Sequence, residues 1–352
     1  MTAVLLVGVG QASGKSALAV ALGKRLQREG RRVGYLKPVF GTEPADSDAD
    51  AVFLRSALQV RTPVAQLAPF MGPLPVARDQ TAAVQERLKA AYADVAAGTD
   101  AVLVELPGAL GDAAWDPVAV LVAEALEARV VPVVRYWQEM DGATIATRLN
   151  RLKARTVGVV VNSVPRKVLP VVRPAVAEAL AGRGYTLLGV LPEDRTLVGF
   201  SIAEVAAHLD ATFLTGQEQA GGLIENLLLQ ANPADPLSTY VQHKPNRLVI
   251  VRVDRPDLQL AAMDTEPRGL LLTGPGRELP NVLYRAEDEG IPMLRVALTT
   301  KETIAALAGL VEGVRFRQEE KVPRIVELVD QHLDLAPLLA ALTPAAETAD
   351  RT

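Results

Sequence analysis

Cysteine is absent from this chain of 352 residues, which excludes disulfides, thiolate metal sites and cysteine nucleophiles and fits a cytoplasmic protein. Histidine is scarce: His208, His243 and His332 stand far apart, without metal-ligand spacing. Each reads as a surface or helix residue, and a catalytic zinc site is not expected. Long apolar runs are missing too. Val130–Val134 and Val157–Val161 are strand-sized and fall far short of the ~20 residues that a spanning helix needs, so no membrane partner is expected. The short apolar start has no basic segment before it and no small-residue cleavage site after it, so a strand is expected there and not a signal peptide. Aromatics make up only 4% of the chain and do not interleave with Lys or Arg clusters, and the formal net charge is -4. These features argue against a nucleic-acid groove.

What is present is a globular balance, 49% hydrophobic and 22% charged, over a length that suits two domains of ~100–200 residues each. Ala3–Gly8 is apolar without polar alternation, the pattern of a strand buried on both faces of a parallel sheet. Ser16–Glu29 carries an apolar stripe and ends at Gly30, which predicts a covering helix. Further strands are expected at Arg32–Val39, Ala101–Leu106, Val130–Val134, Val157–Asn162 and Leu187–Leu191. Helices are expected at Thr81–Ala97, Asp116–Ala128, Gly142–Lys153, Pro170–Arg183 and Ile202–Leu209. This rhythm predicts an α/β doubly wound parallel sheet over residues 1–214. The polar, glycine-rich Thr215–Gly222 reads as a linker. A smaller α/β domain over 223–342 follows, with a helix at Leu223–Gln230, strands at Arg247–Val253, Gly269–Thr273 and Met293–Val296, and helices between and after them. Lys321–Leu342 reads as its closing helix pair, and residues 343–352 as a flexible tail.

Gly8-Val9-Gly10-Gln11-Ala12-Ser13-Gly14-Lys15-Ser16 leaves a buried strand and enters an amphipathic helix, the context a phosphate loop requires. Glycines let the backbone turn its N–H groups around phosphates, the helix N-terminus over Lys15, Ser16 and Ala17 favours anions, Lys15 reaches the terminal phosphates and the Ser16 hydroxyl suits magnesium. Gly8, Gly10, Gly14, Lys15, Ser16 and Ala17 are therefore candidate nucleotide-binding residues. Val9 stands where the usual spacing places the first glycine, so one extra residue separates Gly8 from Gly14.

That longer loop resembles the one in dethiobiotin synthetase. Gly34-Tyr35-Leu36-Lys37-Pro38-Val39 resembles the strand-end motif of the same family, which implies that Lys37 helps bind phosphate and substrate, and Lys15 and Lys37 become the candidate catalytic pair. Asp48 and Asp50 resemble its acidic segment and Glu105 its second acidic strand end, which implies Mg2+ ligands at Asp50 and Glu105 beside Ser16, with Asp48 as a further candidate. By position alone Asp48 reads equally as an exposed loop carboxylate. Asn162, ending a later strand, matches the asparagine that reads adenine. Glu105-Leu106-Pro107-Gly108-Ala109-Leu110 departs from the family's Glu-Gly-Ala-Gly-Gly loop, so the resemblance carries ATP binding further than substrate chemistry.

Val253-Asp254-Arg255-Pro256-Asp257 with Leu270–Gly274, and then Glu289-Gly290-Ile291-Pro292, resembles the DRTGG domain. The acidic and basic residues at this turn either bind a ligand or cap the helix and pair charges. The order of the two domains resembles the N-terminal half of long-form phosphotransacetylases, without the catalytic acetyltransferase domain. That resemblance implies an ATP-binding regulatory protein, sensing a small-molecule effector, within a homo-oligomer. An ATP-dependent ligase acting on a carboxyl or carbamate group is the alternative.

Overall fold

The structure, a computed structural model, describes residues 2–40, 48–67, 69–71, 81–230 and 243–342. It divides into two compact units, Met1–Asp194 with Lys321–Thr352, and Arg195–Glu320.

In the first unit six parallel strands lie in the order Val33–Leu36, Ala101–Leu110, Thr2–Val9, Arg129–Arg135, Val159–Val164 and Leu187–Pro192. Thr2–Val9 is buried from Ala3 onward, as its unbroken apolar run demands of a central strand. The connection from Thr2–Val9 runs to Val33–Leu36 on one side and that from Ala101–Leu110 crosses to Arg129–Arg135 on the other, so the carboxyl end of Thr2–Val9 is at a topological switch point, where open α/β sheets bind ligands. The helix Lys15–Arg28 leaves that end and buries Leu18, Leu22 and Leu26. The expected strand Arg32–Val39 is split: it stops at Leu36, and Val39–Phe40 resumes in a separate pair with Phe70–Met71. Pro38 lacks the N–H a continuing ladder needs.

The helices expected to close the second domain belong to this unit instead. Val322–His332 packs against Lys15–Arg28, with Asp330 accepting from Arg25 and Arg28. Leu335, Leu338 and Leu342 line one small apolar cavity together with Val4, Leu22, Leu26 and Leu103. Nothing local in the sequence signals so distant a return.

In the second unit Thr212–Thr215 runs antiparallel beside Met293–Arg295, followed by Gly269–Thr273, Arg247–Arg252 and Asn226–Leu229, all parallel. Strand alternation sorts its two cores. Leu248 and Ile250 face the helices Ile202–Leu209 and Thr300–Glu312, and Val249 and Val251 face Pro256–Met263 and Pro280–Asp288. Three expectations are corrected. Ile202–Leu209 belongs here and not to the first unit. The expected linker Thr215–Gly222 lies inside this unit, with Gly216 at positive φ against Pro292. The helix expected at Leu223–Gln230 is a pair of short strands, Leu223–Ile224 and Asn226–Leu229, because pairing with Ser201 and with Arg247–Ile250 overrides the helical preference of Leu and Glu. Residues 343–352, expected as a tail, lie outside the described residues. Among the described residues no helix is long and apolar enough to cross a membrane.

Candidate nucleotide site

The chain turns out of Thr2–Val9 through Gly10 at φ 88° and Ala12 at φ 47°, and enters the helix through Gly14 at φ 90°. Positive φ is inexpensive only for glycine, which accounts for Gly10 and Gly14. Gly8 answers a different need. A Cβ there would stand 2.7 Å from Lys15 Nζ and 2.8 Å from Ser13 Oγ, so both polar ends occupy the space that a side chain would fill. The first helical bond runs from the Leu18 N–H to the Gly14 carbonyl. The N–H groups of Lys15, Ser16 and Ala17 thus have no partner inside the helix, as at any helix start, and the positive end of its dipole lies there.

Around this loop the sheet brings in residues from four other segments. Ser16 Oγ donates to Glu105 Oε1 at 2.7 Å, and the Tyr35 hydroxyl donates to the other carboxylate oxygen at 3.2 Å. Lys15 Nζ donates to the Gly108 carbonyl at 3.3 Å. Asn162 Nδ2 donates to the Ser13 carbonyl at 2.9 Å, while its Oδ1 accepts from the Ser163 N–H. Asn162 is therefore held against the phosphate loop. Arg135 reaches the Ala12 carbonyl from the adjacent strand.

Lys37 forms a second group. Its ammonium donates to both oxygens of Asp48, at 2.9 and 2.7 Å, and lies 3.7 Å from Asp50. Asp48 is not an exposed loop carboxylate: it caps the helix Ala49–Ala57 by accepting from the Ala51 N–H. Two separate groups result, Ser16 with Glu105 and Asp48 and Asp50 with Lys37. No cluster of three or more His, Cys, Asp or Glu arranged to hold a metal occurs among the described residues.

Electrostatically the groups are one field. Burial pushes the Lys15 ammonium below its ordinary value; Glu105 and Asp50 oppose the fall and Lys37 adds to it. Burial likewise pushes the Glu105 carboxyl above its ordinary range, against Lys15, the Ser16 hydrogen bond and Lys37. A buried carboxylate beside a hydroxyl is a hard-oxygen donor set of the kind magnesium takes, and a divalent cation would offset the burial that now disfavours the charge of Glu105. The Ser13 hydroxyl, fully buried, has no hydrogen-bond partner among the described residues. An orphaned donor, a cradle that a Cβ would fill and a helix start whose first N–H groups have no partner inside the helix together fit a polyphosphate.

Two features of the site escape a reading of motifs. Tyr35 lies inside a strand and reads as core. The Glu105 strand does not break into a glycine loop but runs on to Leu110, pairing Ala109 with Gly8 and Leu110 with Val9 after a register shift, and Gly108 packs under the Trp115 ring. In the second unit, Asp254 pairs with Arg252 and Asp257 with Arg255. Arg255 holds the cap position of Pro256–Met263 without a side-chain capping bond, so these residues pair charges and do not cap the helix.

The AAA domain family matches residues 2–200, and the DRTGG domain matches residues 204–310. The phosphate acetyltransferase of Deinococcus radiodurans is 24% identical over 94% of this chain and 49% of its own length. That of Haemophilus influenzae is 23% identical over 94% of this chain and 51% of its own. The chain thus spans about half the length of these relatives. Among solved structures, the signal recognition particle 54 kDa protein of Aeropyrum pernix in complex with GDP covers 54% of this chain and 41% of its own, at 19% identity and a TM-score of 0.38. The MinC:MinD cell division protein complex of Aquifex aeolicus covers 56% and 84%, at 14% identity and a TM-score of 0.37.

Proposed function

We propose that this chain, which belongs to the AAA domain family and carries a DRTGG domain, binds ATP with Mg2+ at its phosphate loop and acts as a regulatory or metabolite-sensing protein. The observation that carries the reading is the Ser16–Glu105 contact at the helix start, where the N–H groups of Lys15, Ser16 and Ala17 have no partner inside the helix. Gly8, Gly10 and Gly14 shape the cradle. Lys15, now on the Gly108 carbonyl, turns to the terminal phosphates, a stronger partner for an ammonium than a neutral carbonyl. Ser16 donates its single proton to Glu105, which leaves its lone pairs for the cation. Asp50 and Asp48 border the site through Lys37, and the unused donor and acceptor capacity of the Asn162 amide suits an adenine edge. Bound magnesium supplies positive charge against the phosphates.

Regulation is favoured over ligation by the course of Glu105–Leu110. In place of an open glycine loop, this segment continues the sheet beside the phosphate loop, so the loop that would cover a second substrate is replaced by paired strand. The ligase reading, of the dethiobiotin synthetase type, rests on Lys37, a buried ammonium at the same strand ends. Acetyl transfer is not proposed for the chain. ATP occupancy of the first unit would act on the second by binding two states of the protein with different affinity, in a cytoplasmic homo-oligomer that answers to a small-molecule effector. Phosphate release in the presence of a cell metabolite extract separates the readings: turnover that stays near background supports the regulatory role, and rapid turnover stimulated by the extract supports the ligase.

A further inference from the structure

The strands Val33–Leu36 and Ala101–Leu110 are parallel, with Tyr35 opposite Leu103. Side chains two apart on a strand share a face, so register places Tyr35 and Glu105 on one side of the sheet, within reach of a long side chain. The phenol is completely buried, and its hydroxyl donates to Glu105 Oε2 at 3.2 Å while Ser16 donates to Oε1 at 2.7 Å. Phenylalanine would fill the same space without burying a hydroxyl, and a buried hydroxyl is costly unless it is bonded. What this hydroxyl adds to the packing, among the described residues, is its hold on Glu105.

That hold has a consequence for the cation. A Glu side chain has three rotatable bonds, and a carboxylate fixed at only one oxygen still swings about that oxygen. Fixed at both, it keeps Ser16 turned so that the hydroxyl proton is engaged and its lone pairs are free. We infer that Tyr35 is a positioning residue for magnesium, acting through Glu105 upon Ser16 without touching the nucleotide. Neighbours that orient a metal ligand in this way commonly alter metal affinity by an order of magnitude or more. The inference rests on the nucleotide reading proposed above.

Its test is ATP binding by the full chain, measured calorimetrically in EDTA and in saturating magnesium, the ratio of the two affinities being the magnesium gain. Tyr35→Phe keeps the ring and is expected to leave affinity in EDTA within about twofold of the native chain while cutting the magnesium gain about five- to tenfold. Glu105→Gln, which keeps Tyr35, provides a second background, and there the further change Tyr35→Phe is expected to have no effect, because both act through one carboxylate. A full magnesium gain in Tyr35→Phe overturns the inference. So does an equal loss with and without magnesium, which marks a purely structural role, and so does an undiminished effect in the Glu105→Gln chain. Failure of the native chain to bind ATP under either condition instead overturns the nucleotide reading itself.

Discussion

The Lys37 ammonium is gripped by both carboxylate oxygens of Asp48, with only 6% of the lysine side chain exposed. A buried ion pair of this kind contributes little over an apolar isostere, but breaking it from one side strands a charge. The same Asp48 caps Ala49–Ala57. Asp48→Ala should therefore lower stability by about 3–5 kcal/mol, measured as a shift of the urea midpoint. Lys37→Met should cost clearly less, since Asp48 keeps its bond to the Ala51 N–H.

Gly8 is a requirement of space and not of backbone freedom. Gly8→Ala would push its methyl against Lys15 Nζ and Ser13 Oγ, so ATP affinity should fall by at least about tenfold, the loss expected when a charged hydrogen bond is displaced. The thermal midpoint should move far less than the affinity.

The return of the C-terminal helices makes the first unit discontinuous. Ile325, Leu328, Val329, Leu338 and Leu342 are all buried, and at ~1.5–3 kcal/mol for each buried apolar side chain their removal costs an amount comparable to the ~5–15 kcal/mol that holds a domain together. A fragment ending at Asp194 should not give a cooperative unfolding transition. Joining Lys321–Leu342 to it through a short linker should restore one.

His332 lies among cations. Burial pushes its imidazole below the ordinary value, and Arg173, Arg166 and Arg324 push it the same way. The folded chain therefore holds this proton less tightly than the unfolded chain. His332 thus costs no stability above the ordinary histidine value and some below it, as pH falls from the unfolded toward the folded pKa. Because the chain has three histidines, proton NMR can resolve them. His332 should titrate below the ordinary value, and Arg173→Ala should raise it.

The phosphate loop was legible because its signal is local. Gly14-Lys15-Ser16 at a strand-to-helix junction needs no knowledge of the rest of the chain, and the alternation of apolar strands and amphipathic helices up to Leu191 gave the parallel sheet. What stayed hidden depends on distant pairing. The contact of Tyr35 with Glu105 follows from the register of two strands nearly seventy residues apart. Gly216 and its glycine-rich neighbours read as a linker, because the close approach of Pro292 that requires a glycine at 216 lies far along the sequence. Leu223–Gln230 has the composition of a helix, and only the partner strands decide otherwise. The unit boundary was misplaced for the same reason, since an amphipathic helix such as Val322–His332 does not say which core it will cover.

The most direct test of the account is magnesium-dependent ATP binding by calorimetry, on the native chain and on Lys15→Ala. The account predicts binding at micromolar strength that requires magnesium for full affinity and falls by at least about tenfold in the mutant, as expected when an ammonium–phosphate bond is lost. No binding by the native chain, or equal binding by the two, would contradict it.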